Sequence, residues 1–422
     1  MAFPPRRIAS WKGALAALLV ACASIAAVPR PAVAAQTNNE IIFNRPNTGT
    51  MYAIEDRLVT LIDQATTGTS LKMAMYQMRD RSGGNNVKDA LIRAKNRGVN
   101  VQLLLDATAL KTSTGADEGA YADLKASLGA NVKFCGAIGS DKGCHGALDM
   151  HNKFVLFSSL TDGTTNIIFQ TSQNANSWAG GYLQHNNAVI LKNENNTALW
   201  NGYTKYFNDM WGVAAAGQSN TNDNYWNVQK VVNGSYGDAQ FMPRTYTSGK
   251  SLADILDQVD CPGSVIRTTQ FQISDEIMIN ALRRAKSRGC DTWVVTNRRS
   301  SVPALNATAT TTESPMNGSM RFYETRDVTD TRLGTTSNND VIHSKYTIIT
   351  GAINATVDGI LYNQDKFVFT GSANFTAGSR VSADETILRL QSMPGLNMDA
   401  VYSAYFTDFD FLWDGGRPST EY

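Results

Sequence analysis

The chain has 422 residues, is 42% apolar and 18% charged, and carries 38 Lys and Arg against 37 Asp and Glu. That is length enough for two ordinary domains with full hydrophobic cores, and the composition is that of a globular, soluble chain. The charge balance gives no broadly basic surface of the kind that coats nucleic acid.

Residues 1–35 read as a signal peptide rather than as part of the fold. Arg6, Arg7 and Lys12 form a positive start, and an apolar stretch runs from about Gly13 to Val28. Ala32-Val33-Ala34 and Val33-Ala34-Ala35 both supply small residues for cleavage. The apolar core is too short and alanine-rich for a membrane anchor, and no later segment could span a bilayer. Cleavage takes away four of the 38 basic residues (Arg6, Arg7, Lys12 and Arg30) and no acid, leaving a net charge of −3. It also removes Cys22, so Cys135, Cys144, Cys261 and Cys290 remain in an exported chain. Of the three possible pairings, Cys135–Cys144 with Cys261–Cys290 keeps each bridge inside one half. No Cys-x-x-Cys spacing suggests zinc.

Beyond the signal the chain repeats itself. Phe43-Asn44-Arg45-Pro46 and Phe241-Met242-Pro243-Arg244 look like equivalent leading strands. A helix is expected from Ile54 to Ala65 and another from Leu252 to Val259, leading into strands Leu71 to Tyr76 and Val265 to Gln270. Asp89-Ala90-Leu91-Ile92-Arg93-Ala94-Lys95-Asn96-Arg97-Gly98 matches Asn280-Ala281-Leu282-Arg283-Arg284-Ala285-Lys286-Ser287-Arg288-Gly289, each an amphipathic helix stopped by glycine. Apolar strands Val101 to Leu105 and Thr292 to Val295 follow. The join falls in the polar stretch from Gly217 to about Asn224 and on to Lys250. This divides the chain into a signal at 1–35, a first half at 36–238 and a second at 239–422. The alternation implies an α/β fold with a parallel or mixed central sheet in each half.

Each half carries His-x-Lys followed by an apolar run: His151-Asn152-Lys153 and His343-Ser344-Lys345. Only four histidines occur, so two in matching contexts carry weight. In a strand, residues i and i+2 share a face, so each string presents an imidazole beside an ammonium. That pairing suits a phosphate ester. A further strand and a polar turn follow, Ser172-Gln173-Asn174 and Gly371-Ser372-Ala373-Asn374. One shared active site between two pseudo-symmetric halves is expected.

At these residues the chain resembles the phospholipase D superfamily, built from duplicated α/β halves with His-x-Lys-x4-Asp and Gly-Ser-x-Asn motifs. The resemblance implies two tandem α/β sandwich halves related by a pseudo-two-fold axis, over essentially the whole mature chain. It implies that one histidine attacks phosphorus and the other protonates the leaving alcohol. His151 is assigned the attack and His343 the acid/base role. Lys153, Lys345, Asn174 and Asn374 would hold phosphate oxygens, with Ser172 and Ser372 adding hydroxyls. The family Asp is replaced by Ser158 and Thr350. Alignment to the family places Glu385 behind His343, and Asn187 in the matching place behind His151.

Trp178 and Tyr182, among glycines after the first turn, are candidates for a substrate rim, and Trp200 and Trp211 for the core. His145 and His185 read as surface or rim residues. No cofactor or metal is expected. The expected activity is a secreted, monomeric phosphodiesterase that releases phosphatidic acid from a glycerophospholipid at a membrane or micelle surface. The alternatives are a secreted nuclease of the same superfamily and an inactive binding protein. The local basic clusters Arg283, Arg284, Lys286, Arg288 and Arg298, Arg299 keep nucleic acid open as a partner.

Overall fold

The structure, a computed structural model, describes residues 39–46, 48–79, 86–107, 119–136, 142–176, 183–192, 197–215, 225, 231–234, 237–244, 252–297, 305, 316, 318–323, 341–353, 355–357, 360–362, 365–391, 396–415 and 417–418. The expected signal peptide therefore lies outside the described residues, as do Trp178, Tyr182, Arg298 and Arg299. From Thr37 onward the chain forms one unit.

Strand alternation dictates the layering. In Lys153–Ser159, Phe154 and Leu156 enter one apolar cluster while Val155 and Phe157 enter another, and all four are fully buried. Tyr346–Thr350 does the same, with Ile348 on one side and Ile349 on the other. A strand buried on both faces needs cover on both faces. Helices Ala53–Gln64, Val87–Asn96 and Gly119–Leu128 cover the outer face of the first sheet. Leu252–Asp257 and Glu276–Ser287 cover that of the second. The inner faces of both sheets share one core with the long helices Thr197–Ala215 and Met398–Gly415. Trp200 and Trp211 pack against that core, as expected.

The first sheet runs Glu40–Asn44, Gln184–Leu191, Thr165–Thr171, Lys153–Ser159, Ser70–Met75, Asn100–Asp106, Val132–Cys135. The second runs Val231–Gly234, Gly237–Phe241, Thr386–Gln391, Lys366–Gly371, Tyr346–Thr350, Val265–Gln270, Asp291–Asn297, Met320–Tyr323, Arg417–Pro418. Both are mixed, with the motif strand antiparallel to its neighbours and a parallel pair beside it. The second sheet thus starts at Val231, ahead of the boundary expected at residue 238.

The repeat extends to single contacts. Asn86 caps one repeat helix by accepting from the Asp89 amide, and Asp275 caps the other by accepting from the Ile277 amide. Gly98 and Gly289 end them at φ +89° and +92°, a conformation that side chains resist. Arg93 binds Asp63, and Arg284 binds Asp257. Arg97 donates to the Ile62 carbonyl, and Arg288 to that of Leu256. Arg283 is buried. Arg284 and Arg288 of the basic cluster that kept nucleic acid open thus join their helix to the neighbouring one.

Candidate active site

The two halves exchange chain at the motifs. Val341–Ile342, just ahead of His343, pairs in parallel with Gln184 and His185 of the first sheet. Met150, just ahead of His151, bridges in parallel to Asp384, two residues ahead of the second-half strand Thr386–Gln391. The His151 amide donates to the Asp384 carbonyl and the His343 amide to the His185 carbonyl, both at 2.9 Å. Each histidine is therefore held by the backbone of the other half.

The side chains behind the imidazoles also come from the other half. His151 Nδ1 lies 2.7 Å from Glu385 Oε1, and His343 Nδ1 lies 2.8 Å from Asn186 Oδ1. This corrects the expected pairing of Glu385 with His343 and of Asn187 with His151. The error was one residue of register, compounded by assuming partners within a half. Asn187 aligns with Thr386, not Glu385: their amides donate to Ser172 Oγ and Ser372 Oγ respectively, each at 3.0 Å. A one-residue slip in a strand turns every side chain to the other face. Asn187 instead ties the halves, donating to Thr370 Oγ1 at 2.6 Å and accepting from the Lys345 amide at 3.1 Å.

Ser172 and Ser372 are fully buried. Ser172 donates to Asn186 Oδ1 at 3.0 Å, and a hydrogen bond from Ser372 steadies Glu385. The serines thus hold the groups that hold the histidines, rather than facing a substrate as expected. Asn174 and Asn374 follow them, each with its carboxamide oxygen buried and without a hydrogen-bond partner.

Lys153 Nζ donates to the His151 carbonyl at 2.7 Å, and Lys345 Nζ to that of His343 at 2.9 Å. Each ammonium also lies over an aromatic ring, Lys153 over Tyr76 at 5.1 Å and Lys345 over Phe271 at 5.6 Å. The same rings meet the imidazoles edge-on, Tyr76 with His151 at 4.8 Å and Phe271 with His343 at 5.2 Å. Sequence reading missed this pair, though both occupy the residue right after a matched central strand. It also missed Asn186, Asp384 and Asp106.

Burial pulls the His151 imidazole down to about 4, against the upward pull of Glu385. It pulls His343 well below its ordinary value, and Lys345, Lys153 and His151 add to that. Lys153 comes down to about 7 through burial, although Glu385, Asp149 and Asp106 oppose it. Lys345 falls well below its usual range through burial and the neighbouring Lys153. Burial alone would raise the Glu385 carboxyl, but His151, Lys153 and Ser372 outweigh it and keep it low. Both imidazoles are thus held toward the neutral form, and a charge on either lysine disfavours one on the other in a dry site. An anion between them would relieve that repulsion. Engagement of both Nδ1 atoms reserves Nε2 of each ring for chemistry.

Ser158, in place of the family Asp, accepts from the Ser70 amide at 2.8 Å and links two strands. Thr350 ends its motif strand. His145 and His185 are buried, not on the rim as expected. His145 stacks on Tyr225 at 4.3 Å, and His185 meets Tyr323 edge-on. Disulfides join Cys135 to Cys144 and Cys261 to Cys290, as expected. Among the described residues, the one cluster of metal-ligand types is Cys135, Cys144 and Asp384, and both its sulfurs are bonded to each other. No described helix is long and apolar enough to cross a membrane.

Two α/β halves exchanging residues around paired His-x-Lys strings define a phospholipase D-type scaffold. The chain belongs to the phospholipase D-like family: the family model described as "Cardiolipin synthase, PLD-like domain" matches residues 58–211 and 255–413. No curated protein matches it. Among solved structures, it is similar to phosphatidylserine synthase from Haemophilus influenzae Rd KW20, with 12% identity and a TM-score of 0.53 over 87% of this chain and 85% of that one. It is also similar to polyphosphate kinase from Porphyromonas gingivalis, with 11% identity and a TM-score of 0.54 over 89% of this chain. It spans 50% of the length of that kinase. At these identities the likeness is one of fold.

Proposed function

We propose that this chain is an exported phosphodiesterase of phospholipase D type, which hydrolyses a glycerophospholipid to phosphatidic acid and the free headgroup alcohol. The observation that carries the reading is the double exchange at the motifs. Two imidazoles, each held at Nδ1 by a residue of the other half, stand there with two buried lysines whose Nζ atoms bond the histidines' own carbonyls. In the proposed organisation residues 1–35 are the export signal and two halves follow, the second taking in the strands Val231–Gly234 and Gly237–Phe241. The two disulfides suit an oxidising compartment.

His151 Nε2 attacks phosphorus, and the bond to the headgroup oxygen breaks. Glu385, hydrogen-bonded to Nδ1, fixes the tautomer and offsets the positive charge that grows on the ring. The departing alkoxide takes a proton from His343. His343 is held toward its neutral form in the free site and takes up a proton from solvent as the substrate binds, because the substrate's negative charge offsets Lys153 and Lys345 and raises the basicity of His343. Water then attacks the phosphohistidine, giving its proton back to His343 and freeing His151. Lys153, Lys345, Asn174 and Asn374 would stabilise the equatorial oxygens.

The lipid rather than nucleic-acid assignment rests on charge. A net charge of −3 after cleavage, and a repeat-helix arginine cluster engaged within the fold, leave little for a polyanion to bind. The test is incubation of the purified chain with phosphatidylcholine vesicles and, separately, with plasmid DNA, both in EDTA. Phosphatidic acid should form while the plasmid stays supercoiled. Plasmid nicking without lipid cleavage would assign the same site to nucleic acid, and neither product would remove the hydrolase reading.

A further inference from the structure

The loop that leads into His151 is gripped by a side chain that the two-histidine chemistry does not use. Asp384, fully buried, immediately precedes Glu385. Its carboxylate accepts from three successive backbone amides of the first half: Cys144 at 2.5 Å, His145 at 3.1 Å and Gly146 at 2.9 Å. Such a run of N–H groups is a ready cradle for an anionic group. The fit is close. A Cβ on Gly146 would lie 2.0 Å from the Ser382 carbonyl oxygen, and one on Gly143 would lie 2.6 Å from Asp384 Oδ2.

Other bonds hold the same loop. The Leu148 amide donates to the Ser382 carbonyl at 2.8 Å, and the Asp384 amide to the Asp149 carbonyl at 3.0 Å. Asp106 accepts from the Met150 amide at 2.8 Å. The Cys135–Cys144 disulfide anchors the far end of the loop to the strand Val132–Cys135. Residues 144–151 and 382–385 therefore form one bracket. His151 emerges from one arm and Glu385 from the other. In the first half the position of Asp384 is held by His185, which offers no carboxylate and whose carbonyl accepts from the His343 amide. A carboxylate grip on the loop is thus a feature of one histidine only.

We propose that Asp384 is a positioning residue for the His151–Glu385 pair: by gripping the disulfide-anchored loop Cys144–Gly146, it sets the 2.7 Å contact between His151 Nδ1 and Glu385. It touches no reacting atom. The proposal rests on the phosphodiesterase reading for its kinetic consequence but not for its structural one.

The decisive variant is Asp384→Asn, which keeps the size but puts an NH2 donor where one of the two oxygens that accept from the three amides stood. The low-field Nδ1–H resonance of His151 should move or broaden in the folded variant, while that of His343 stays in place. With four histidines in the chain, the two are assignable by His→Ala controls. The rate of phosphohistidine formation should fall about 10- to 100-fold, as when an orienting group is disturbed, and KM should change little. Hydrolysis of the phosphoenzyme, which depends on His343, should hold. A folded Asp384→Asn with an unshifted His151 resonance and unchanged kcat would overturn the proposal and leave Asp384 a purely structural clamp. If the wild type cleaves no phosphodiester at all, the phosphodiesterase reading fails while the resonance test still stands. Should Asp384→Asn not fold, hydrogen exchange on the wild type decides. Inorganic vanadate at the histidines should increase protection of the Cys144, His145 and Gly146 amides, and unaltered exchange there would count against the bracket.

Discussion

The halves of this protein agree on scaffold and differ behind their histidines. Both place His-x-Lys at the start of a central strand, set an aromatic ring against the pair and bind a serine to the group that orients the ring. Behind His151, however, stands the carboxylate of Glu385, and behind His343 the carboxamide of Asn186. An amide fixes a tautomer, whereas a carboxylate also offsets positive charge on the ring. The ring that becomes covalently phosphorylated carries positive charge for the lifetime of the intermediate. The ring that shuttles a proton must be able to lose it. The difference therefore favours His151 as nucleophile, the same role that the family resemblance implies.

The largest expected effects break the comparison outright. His151→Ala should abolish both turnover and any trapped phosphoenzyme. His343→Ala should lower turnover of a natural ester by several orders of magnitude, because the alkoxide leaves without a proton. With a p-nitrophenyl ester, whose leaving group needs little protonation, His343→Ala should still give a burst of nitrophenol and His151→Ala should not. A phosphoryl adduct on His343, with a burst surviving in His151→Ala, would exchange the two roles.

Smaller effects sharpen the comparison by altering one orienting group at a time. Glu385→Gln should cost about 10- to 100-fold in the phosphorylation step, the usual scale for a group that orients a reacting one. Asn186→Asp gives His343 the partner that His151 has. A carboxylate at 2.8 Å from Nδ1 should raise the His343 pKa from its depressed value. The protonated acid then persists to higher pH, so the alkaline limb of kcat/KM should move upward. An unmoved limb would mean that His343 is not the acid.

Much of this was open to reading in the sequence, and what escaped did so for a physical reason. The duplication was legible because helix stops and apolar strands leave local marks: Arg97-Gly98 and Arg288-Gly289 end equivalent helices, and both motif strands are apolar on two faces. The disulfides were legible because an even count of cysteines divides neatly between halves. The exchange of orienting groups was not legible, because nothing in a strand's own pattern says which sheet its side chains will meet. Tyr76 looked like an ordinary strand end, Phe271 fell just past the strand read from Val265 to Gln270, and Asp384 looked like the polar neighbour of Glu385. His145 and His185 seemed to belong on the surface because a lone histidine is polar. Stacking on Tyr225 and an edge-on contact with Tyr323 came from distant segments.

The lysines provide a comparison through pH. Lys153 is pulled down to about 7 by burial, and Lys345 lies well below its usual range through burial and Lys153. An anion prefers the charged form of each, so binding above pH 7 must take up a proton. The affinity of inorganic phosphate, corrected for its own ionisation, should fall by up to about tenfold per pH unit above 7, the slope of one proton per anion. Calorimetry in buffers of different ionisation enthalpy should register that proton directly. Lys153→Arg, which stays charged at every pH, should flatten the dependence. An affinity that is level from pH 6 to 9 would mean that both lysines remain charged in the free protein.

The smallest expected effect tests the sameness of the halves rather than their difference. Arg93–Asp63 and Arg284–Asp257 are equivalent ion pairs, each with an N–O distance of 2.8 Å. Their side chains are 42% and 37% exposed in the first half and 38% and 28% in the second, so solvent screens both. Exposed pairs of this kind contribute about 0.2–1 kcal/mol. Arg93→Ala and Arg284→Ala should therefore lower stability by small and similar amounts in denaturant titrations, with phosphodiester turnover per folded molecule unchanged. The pair also tests the basic cluster. If Arg284 serves the fold, its loss should leave any weak DNA affinity and its salt dependence as they are in Arg93→Ala. If Arg284→Ala alone reduced the salt slope of DNA binding by about one unit, it would mark a phosphate contact. The second-half helix would then have a polyanion-binding role that its counterpart lacks, and the nucleic-acid alternative would regain the support that the ion pair with Asp257 takes from it.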